Sequence, residues 1–293
     1  MTQERLNPLN DYLFLKIMGE KGDEEQLLAF LNAVLGRRGT NAIESLEIIE
    51  NKTIAAEVFG DKTSILDVRA KTAAGERVNI EVQLRNPGNM NRRSLFYWSL
   101  EFSRSMEAGQ EYHETPNVIT INIVNYEFMP QIPAFHTSFH IWEDTYREAL
   151  LTDALEIHFI DMVKFRRLKE KDIRRDALHR WLTWFDKESP QTLVEEVVKM
   201  DTAIQKAEEK MVYVTNDKEA LRAYQMREMA LSDWNSGINH ARREGRQEGR
   251  QEGRQEGRQE EAREIAKALK NIGDSFEKIA GVTGLSVQEI ENL

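Results

Sequence analysis

The sequence predicts an α/β fold followed by an α-helical C-terminal region. Three observations lead there. Three strand-type segments, "SLEIIEN", "SILDVRAKT" and "RVNIEVQL", sit between two amphipathic helical patterns. The run "NVITINIVNY" is almost continuously apolar, as a strand buried on both faces requires. From Ile173 to about Ser236 the apolar spacing is helical.

Each element follows from local chemistry. In "LNPLNDYLFLKIMG" the Asn7-Pro8 turn precedes Asn10 or Asp11 as helix cap, with Tyr12, Leu15 and Met18 at helical spacing. "EEQLLAFLNAVLG" carries Leu27, Leu28, Leu31, Val34 and Leu35 as an apolar stripe that Gly36 ends. "AAGE" around Gly75 is a hairpin-type turn between the second and third strands. "MNRRSLFYWSLEFSRSMEAG" is helical by pattern, with Leu95, Trp98, Phe102 and Met106 along one side. "AFHTSFHIWE" and "ALEIHFIDM" add two strands. His136 and His140 fall four residues apart in the first of these, about 13 Å at strand rise, too far to share one metal. "WLTWF" at 181–185 reads as core packing rather than a base-stacking platform.

From Glu244 the chain repeats "EGRQ". On a helix, period 4 lines up Glu, Gly, Arg and Gln in separate columns, and each charged column is like-charged at i,i+4. Such a helix is poor alone. The tract over residues 244–270 therefore reads either as a solvated linker or as a helix that pairs with a second copy, Arg column against Glu column. The end, "DSFEKIAGVTGLSVQEIENL", shows two capping-box spacings, Asp274 with Glu277 and Ser286 with Glu289, in a helix-turn-helix-like pair around Gly284. Its last helix has two Glu and no basic residue, which argues against reading DNA bases.

Composition excludes several classes. With no cysteine, disulfides, thiolate catalysis and Cys-type zinc sites are out. A net charge of -10 argues against coating nucleic acid by bulk electrostatics, so a phosphate partner must be met locally. Nothing resembles a signal peptide and no apolar run approaches the roughly 18 residues of a membrane span. The expectation is a cytoplasmic protein without membrane partners.

The third strand poses the functional question. In "VNIEVQLRN" the alternation puts Val78, Ile80, Val82 and Leu84 on one face and Asn79, Glu81, Gln83 and Arg85 on the other. A solvated strand face has this pattern, and so has a metal site. Asp67, inside "SILDVRAK", adds a second acid. If the Gly75 turn pairs the two strands, Asp67 and Glu81 share a face, and two carboxylates with a strand carbonyl such as that of Val82 make a hard oxygen site for Mg2+.

The helix, three strands, helix, strand order, with an acid in the second strand and Glu81-x-Gln83 in the third, resembles the PD-(D/E)XK nuclease superfamily. The D-x13-E-x-Q variant is that of the recombination-promoting nuclease (Rpn) group, also described as PD-(D/E)XK family transposases. "LLAFLNAVLG", "RRSLFYWSLEFSRSMEAGQEY", "VITINIVNY" and the terminal "EGRQEGRQ" with "IAGVTGLS" fit as well. The resemblance implies a restriction-endonuclease-like core, a mixed sheet flanked by helices, and a metal-dependent DNA endonuclease that promotes recombination and is linked to mobile elements. Asp67 and Glu81, with the Val82 carbonyl, would hold Mg2+ or another divalent ion such as Mn2+ or Ca2+, and Gln83 would orient the attacking water. Gln83 stands where the superfamily motif has lysine, and a neutral amide brings no charge to the phosphorane. Arg85, Arg92 and Arg93 are candidates for DNA phosphates. Asp11 is a helix cap or an additional acid.

The implied organisation is a nuclease core over 1–145, further strands and helices over 146–236, the EGRQ segment over 237–270 and the terminal hairpin over 271–293. The alternative is a catalytically weak or inactive nuclease-fold scaffold that binds DNA or protein.

Overall fold

In a computed structural model, which describes residues 5–49, 68–86, 88–106 and 109–293, the first helix is α1, Asp11–Met18. Asn10 caps it, its side-chain carbonyl accepting from the Tyr12 and Leu13 N–H groups. Its buried face is Leu13, Phe14, Ile17 and Met18 rather than the expected stripe through Tyr12 and Leu15. The reason lies far away in sequence: Phe14 packs against Phe185 at 5.6 Å between ring centres. The second helix, α2 (Glu24–Leu35), ends at Gly36 with φ of 63°, the left-handed conformation expected of a glycine stop. Its Phe30 meets Trp181 and Phe185 edge-on, at 5.8 and 5.3 Å.

Asn10 is itself fully buried, and its side-chain amide also donates to Glu228 at 2.8 Å. Asn10→Ala is expected to remove the cap and strand the Glu228 carboxylate, lowering stability by about 1–2 kcal/mol in urea unfolding.

The described strands are β1 (Leu46–Ile49), β2 (Val68–Thr72), β3 (Arg77–Gln83), β4 (Val118–Val124), β5 (His136–Trp142) and β6 (Leu150–Asp161). They form one sheet in the order β1-β2-β3-β4-β6-β5. The pairs β1/β2, β2/β3 and β5/β6 are antiparallel and β3/β4 and β4/β6 parallel, so the sheet is mixed. Gly75 (φ 92°) turns the β2/β3 hairpin, which pairs Val68 with Ile80 and Ala70 with Val78. The part of the second strand expected before Val68, Asp67 included, lies outside the described residues.

One face of the sheet is apolar. Val68, Ala70, Val78, Ile80, Ile119, Ile121, Ile123 and Ile160 join a core with α1, α2 and α5 (Ala177–Phe185). Trp181, Trp184 and Phe185 of "WLTWF" lie in this core, as expected. The helices α6 (Gln191–Met200) and α7 (Thr202–Asn216) extend it through Val194, Val197, Ile204 and Ala207. Between β6 and α5 lies the short α4 (Met162–Arg166).

The other face, covered by α3, Met90–Ser105, is polar along β3 and β4 at Asn79, Glu81, Thr120 and Asn122 and apolar along β6, where Leu155, Ile157 and Phe159 cluster with Val124 and Met90. This helix turns Met90, Ser94, Glu101 and Ser105 inward and leaves Leu95 and Phe96 exposed. The apolar stripe expected through Leu95 is therefore displaced. A polar sheet face beneath the helix selects the helix side whose groups can satisfy it.

Two compact units result, Met1–Glu228 and Met229–Leu293. In the second, the EGRQ tract lies within α8, Lys218–Asn271, and at Gly245, Gly249, Gly253 and Gly257 an added Cβ would meet nothing within 4 Å. Ala266, Ile279 and Ile290 form a small core with α9 (Phe276–Thr283) and α10 (Val287–Glu291). The Ser286–Glu289 capping box forms. The Asp274–Glu277 one does not: Ser275 holds the cap position and Asp274 accepts from Lys278 Nζ at 2.6 Å instead.

Candidate active site

Strand alternation sends Val78 and Ile80 into the apolar core and turns Asn79 and Glu81 towards α3. At Asn79 and Glu81 that second face is not solvated. Asn79 is 2% exposed and Glu81 is 0% exposed. A carboxylate buried to this degree needs a counter-charge. Arg93, in the first turn of α3, supplies it: its Nε–H donates to Glu81 Oε1 at 2.8 Å. The other oxygen, Oε2, is buried with no hydrogen-bond partner among the described residues. Burial pushes the Glu81 carboxyl above its ordinary range, and Arg93 opposes that rise.

The surroundings hold this geometry in place. Arg93 also lies over the Tyr97 ring, 5.3 Å from its centre, and keeps 26% of its side chain exposed. At the far end of α3 a second ion pair runs with the opposite polarity, helix Glu101 to strand Arg69 at 2.7 Å. Asn122 on β4 sits directly opposite Glu81. Its Oδ1 accepts from Ser94 Oγ at 2.9 Å and its amide donates to the His158 carbonyl at 3.0 Å, so it ties α3 to the sheet. The Tyr126 hydroxyl is buried without a hydrogen-bond partner among the described residues, and burial, followed by the Glu81 charge, raises its pKa above the usual 10.

The remaining predicted residues spread around this point. Gln83 ends β3, partly exposed, its carbonyl accepting from the Asn125 N–H at 3.0 Å. Val82 is the β3 residue between Glu81 and Gln83 and pairs with Ile123. Arg85 follows the strand, within electrostatic reach of Asp11. Asp11 accepts the Tyr12 N–H at 2.8 Å and lies 3.8 Å from Arg227 Nε. Arg92 is exposed on α3. Asp67 lies outside the described residues. Among the described residues no group of three His, Asp or Glu side chains is placed to hold a metal ion.

Sequence reasoning missed Arg69, Ser94, Glu101, Asn122 and Tyr126. Asn122, a lone amide within "VITINIVNY", was the available signal, because a polar residue in a doubly buried strand must be hydrogen-bonded.

The model of the PD-(D/E)XK nuclease family transposases matches residues 8–241. The chain belongs to this family. The mixed sheet flanked by helices, with its helical C-terminal region, agrees with the PD-(D/E)XK fold. PD-(D/E)XK nucleases generally use divalent metal ions, and membership implies a DNA substrate. No match was found among curated proteins or solved structures. Among the described residues no helix is long and apolar enough to cross a membrane.

An orphaned, buried carboxylate oxygen is the donor a hard divalent cation accepts, so Glu81 Oε2 fits such an ion.

Proposed function

We propose that this PD-(D/E)XK family member is a divalent-metal-dependent DNA endonuclease whose cuts promote recombination. The observation that carries the reading is Glu81 Oε2, a buried carboxylate oxygen with no hydrogen-bond partner among the described residues, on the strand face that also presents Gln83. Asp67, Glu81 and the Val82 carbonyl would hold Mg2+, Mn2+ or Ca2+. When bound, the cation polarises the scissile phosphate and lowers the pKa of the attacking water.

The chain's own residues do the rest. The strand β3 fixes Glu81 and Gln83 two residues apart on one face, so an amide oxygen on Gln83 orients a water beside the carboxylate. Ser94 and Asn122 tie α3 to the sheet, and Arg93 on that helix holds Glu81 Oε1. Arg85 and Arg92 carry positive charge near the end of β3 and the start of α3, where a phosphate backbone must pass. The pairing of Val68 with Ile80 agrees with the hairpin on which the role of Asp67 rests. The EGRQ tract is proposed to pair two copies; light scattering that gives a monomer with and without residues 244–293 would count against it.

Removing the metal tests the central claim. Supercoiled plasmid incubated with Mg2+ should be nicked, and excess EDTA should stop the reaction. Absence of cleavage by folded protein in Mg2+, Mn2+ and Ca2+ alike favours the second reading, a nuclease-fold scaffold. Gln83, which brings no charge in place of the motif lysine, is the observation that supports that alternative.

A further inference from the structure

Glu81 and Arg93 are charge-balanced without any bound ion. Arg93 Nε holds Oε1 at 2.8 Å, while Oε2, in the same buried carboxylate, has no hydrogen-bond partner among the described residues. The pair is made by one N–H, not by the two-pronged fork that arginine offers a carboxylate at its strongest. Arg93 is also the more accessible partner, 26% exposed against 0% for Glu81, and Tyr97 supports its guanidinium from the side. A guanidinium so placed can leave towards solvent, whereas the carboxylate cannot follow it.

Two positive charges compete for this carboxylate. A divalent cation bound at Oε2 would lie within a few ångströms of the Arg93 guanidinium. At that distance repulsion in a poorly solvated site is worth at least a tenfold change in affinity. We infer that Arg93 is an exchangeable counter-ion: it holds Glu81 in the metal-free protein and withdraws from Oε1 when a divalent cation takes the carboxylate. Arg93 is then a positioning residue for the metal site. The inference rests on the proposed metal-binding role of Glu81.

The inference gives binding and stability effects of opposite sign. Calorimetric titration of Mn2+ into the full-length protein at pH 8 should show Arg93→Gln binding about tenfold more tightly than wild type. The same variant should unfold at a lower temperature without metal, because Glu81 has lost its partner. A merely structural residue would weaken both. Should the variant not fold, the wild type suffices. In arginine-labelled protein the Arg93 Nε–H resonance, assigned by its absence in Arg93→Lys, should shift on adding Mg2+ and exchange with water about tenfold faster. If wild type binds Mn2+ but Arg93→Gln binds no more tightly, or the resonance does not respond to bound Mg2+, the exchange is overturned and the metal-site reading stands. If wild type and Arg93→Gln both bind no Mn2+, the metal-site reading itself falls.

Discussion

Glu81→Gln is expected to lower Mg2+-dependent plasmid cleavage by about 10³-fold or more while leaving the fold as stable as wild type to within about 1 kcal/mol. The loss of activity follows from replacing the proposed anionic ligand with an amide that brings no charge to a divalent cation. The unchanged stability follows from the local geometry. Glutamine keeps the shape, and its carbonyl can still accept from Arg93 Nε, the bond now made by Oε1 at 2.8 Å. The substitution also removes the buried charge at Oε2, which has no hydrogen-bond partner among the described residues. Against that stands the lost attraction to Arg93, which is the partly exposed partner and can be solvated. A residue that contributes little to folding and is required for activity is the usual signature of a functional site. Asp67→Ala should show a similar loss of cleavage. Initial rates of supercoiled plasmid loss, with thermal unfolding followed by circular dichroism, check both halves. Cleavage within tenfold of wild type in Glu81→Gln would remove Glu81 from the metal site.

How much of this was legible depends on where the deciding contacts lie. Local chemistry carried the strand order, the Gly36 stop, the Gly75 turn and the doubly buried β4, because each depends on residues a few positions apart. The helix faces were harder to read. Phe14 is buried by Phe185, and α3 buries Ser94, Glu101 and Ser105 because the sheet face beneath it carries Asn79, Glu81 and Asn122. Hydrophobic periodicity assumes an apolar partner surface, and here the partner surface is polar along β3 and β4 and apolar only towards β6. The same assumption left the β3 alternation open between a solvated face and a metal site. At Glu81 itself solvent is replaced by Arg93, since the residue has no exposed surface, while Gln83 and Arg85 further along the face stay partly exposed. Arg93, expected as a phosphate contact, also spans the 12 residues to Glu81, a pairing that required the helix to cross the sheet at that point.

The second large effect is one of pH, and it arises on the opposite half of the sheet. His136 and His158, on the paired strands β5 and β6, share a hydrogen bond of 2.9 Å between Nε2 and Nδ1, and His158 Nε2 bonds Glu156 Oε1 at 2.7 Å. Burial, with the His158 neighbour adding to it, pushes His136 from the ordinary 6.5 down to about 4. The unfolded chain therefore binds a proton at about pH 6.5 that the folded protein refuses until about pH 4. Where the unfolded state holds more protons, stability rises with pH. The contribution is thus complete above pH 6.5 and is lost as pH falls from 6.5 to 4. Allowing for the partial exposure of His136, it amounts to about 2 kcal/mol. Glu156 is shifted too, but from 4.5 downward, chiefly by its bond to His158, so its contribution is lost only at lower pH. Glu81, raised by burial, takes up a proton in the folded state first and so acts in the opposite direction, which leaves the decline above 4.5 to His136. Urea midpoints followed by tryptophan fluorescence should decline between pH 6.5 and 4.5. His136→Gln, which keeps a hydrogen-bonding amide beside His158 but does not titrate, should flatten that decline. An equally steep fall in the variant would assign the acid sensitivity to another group.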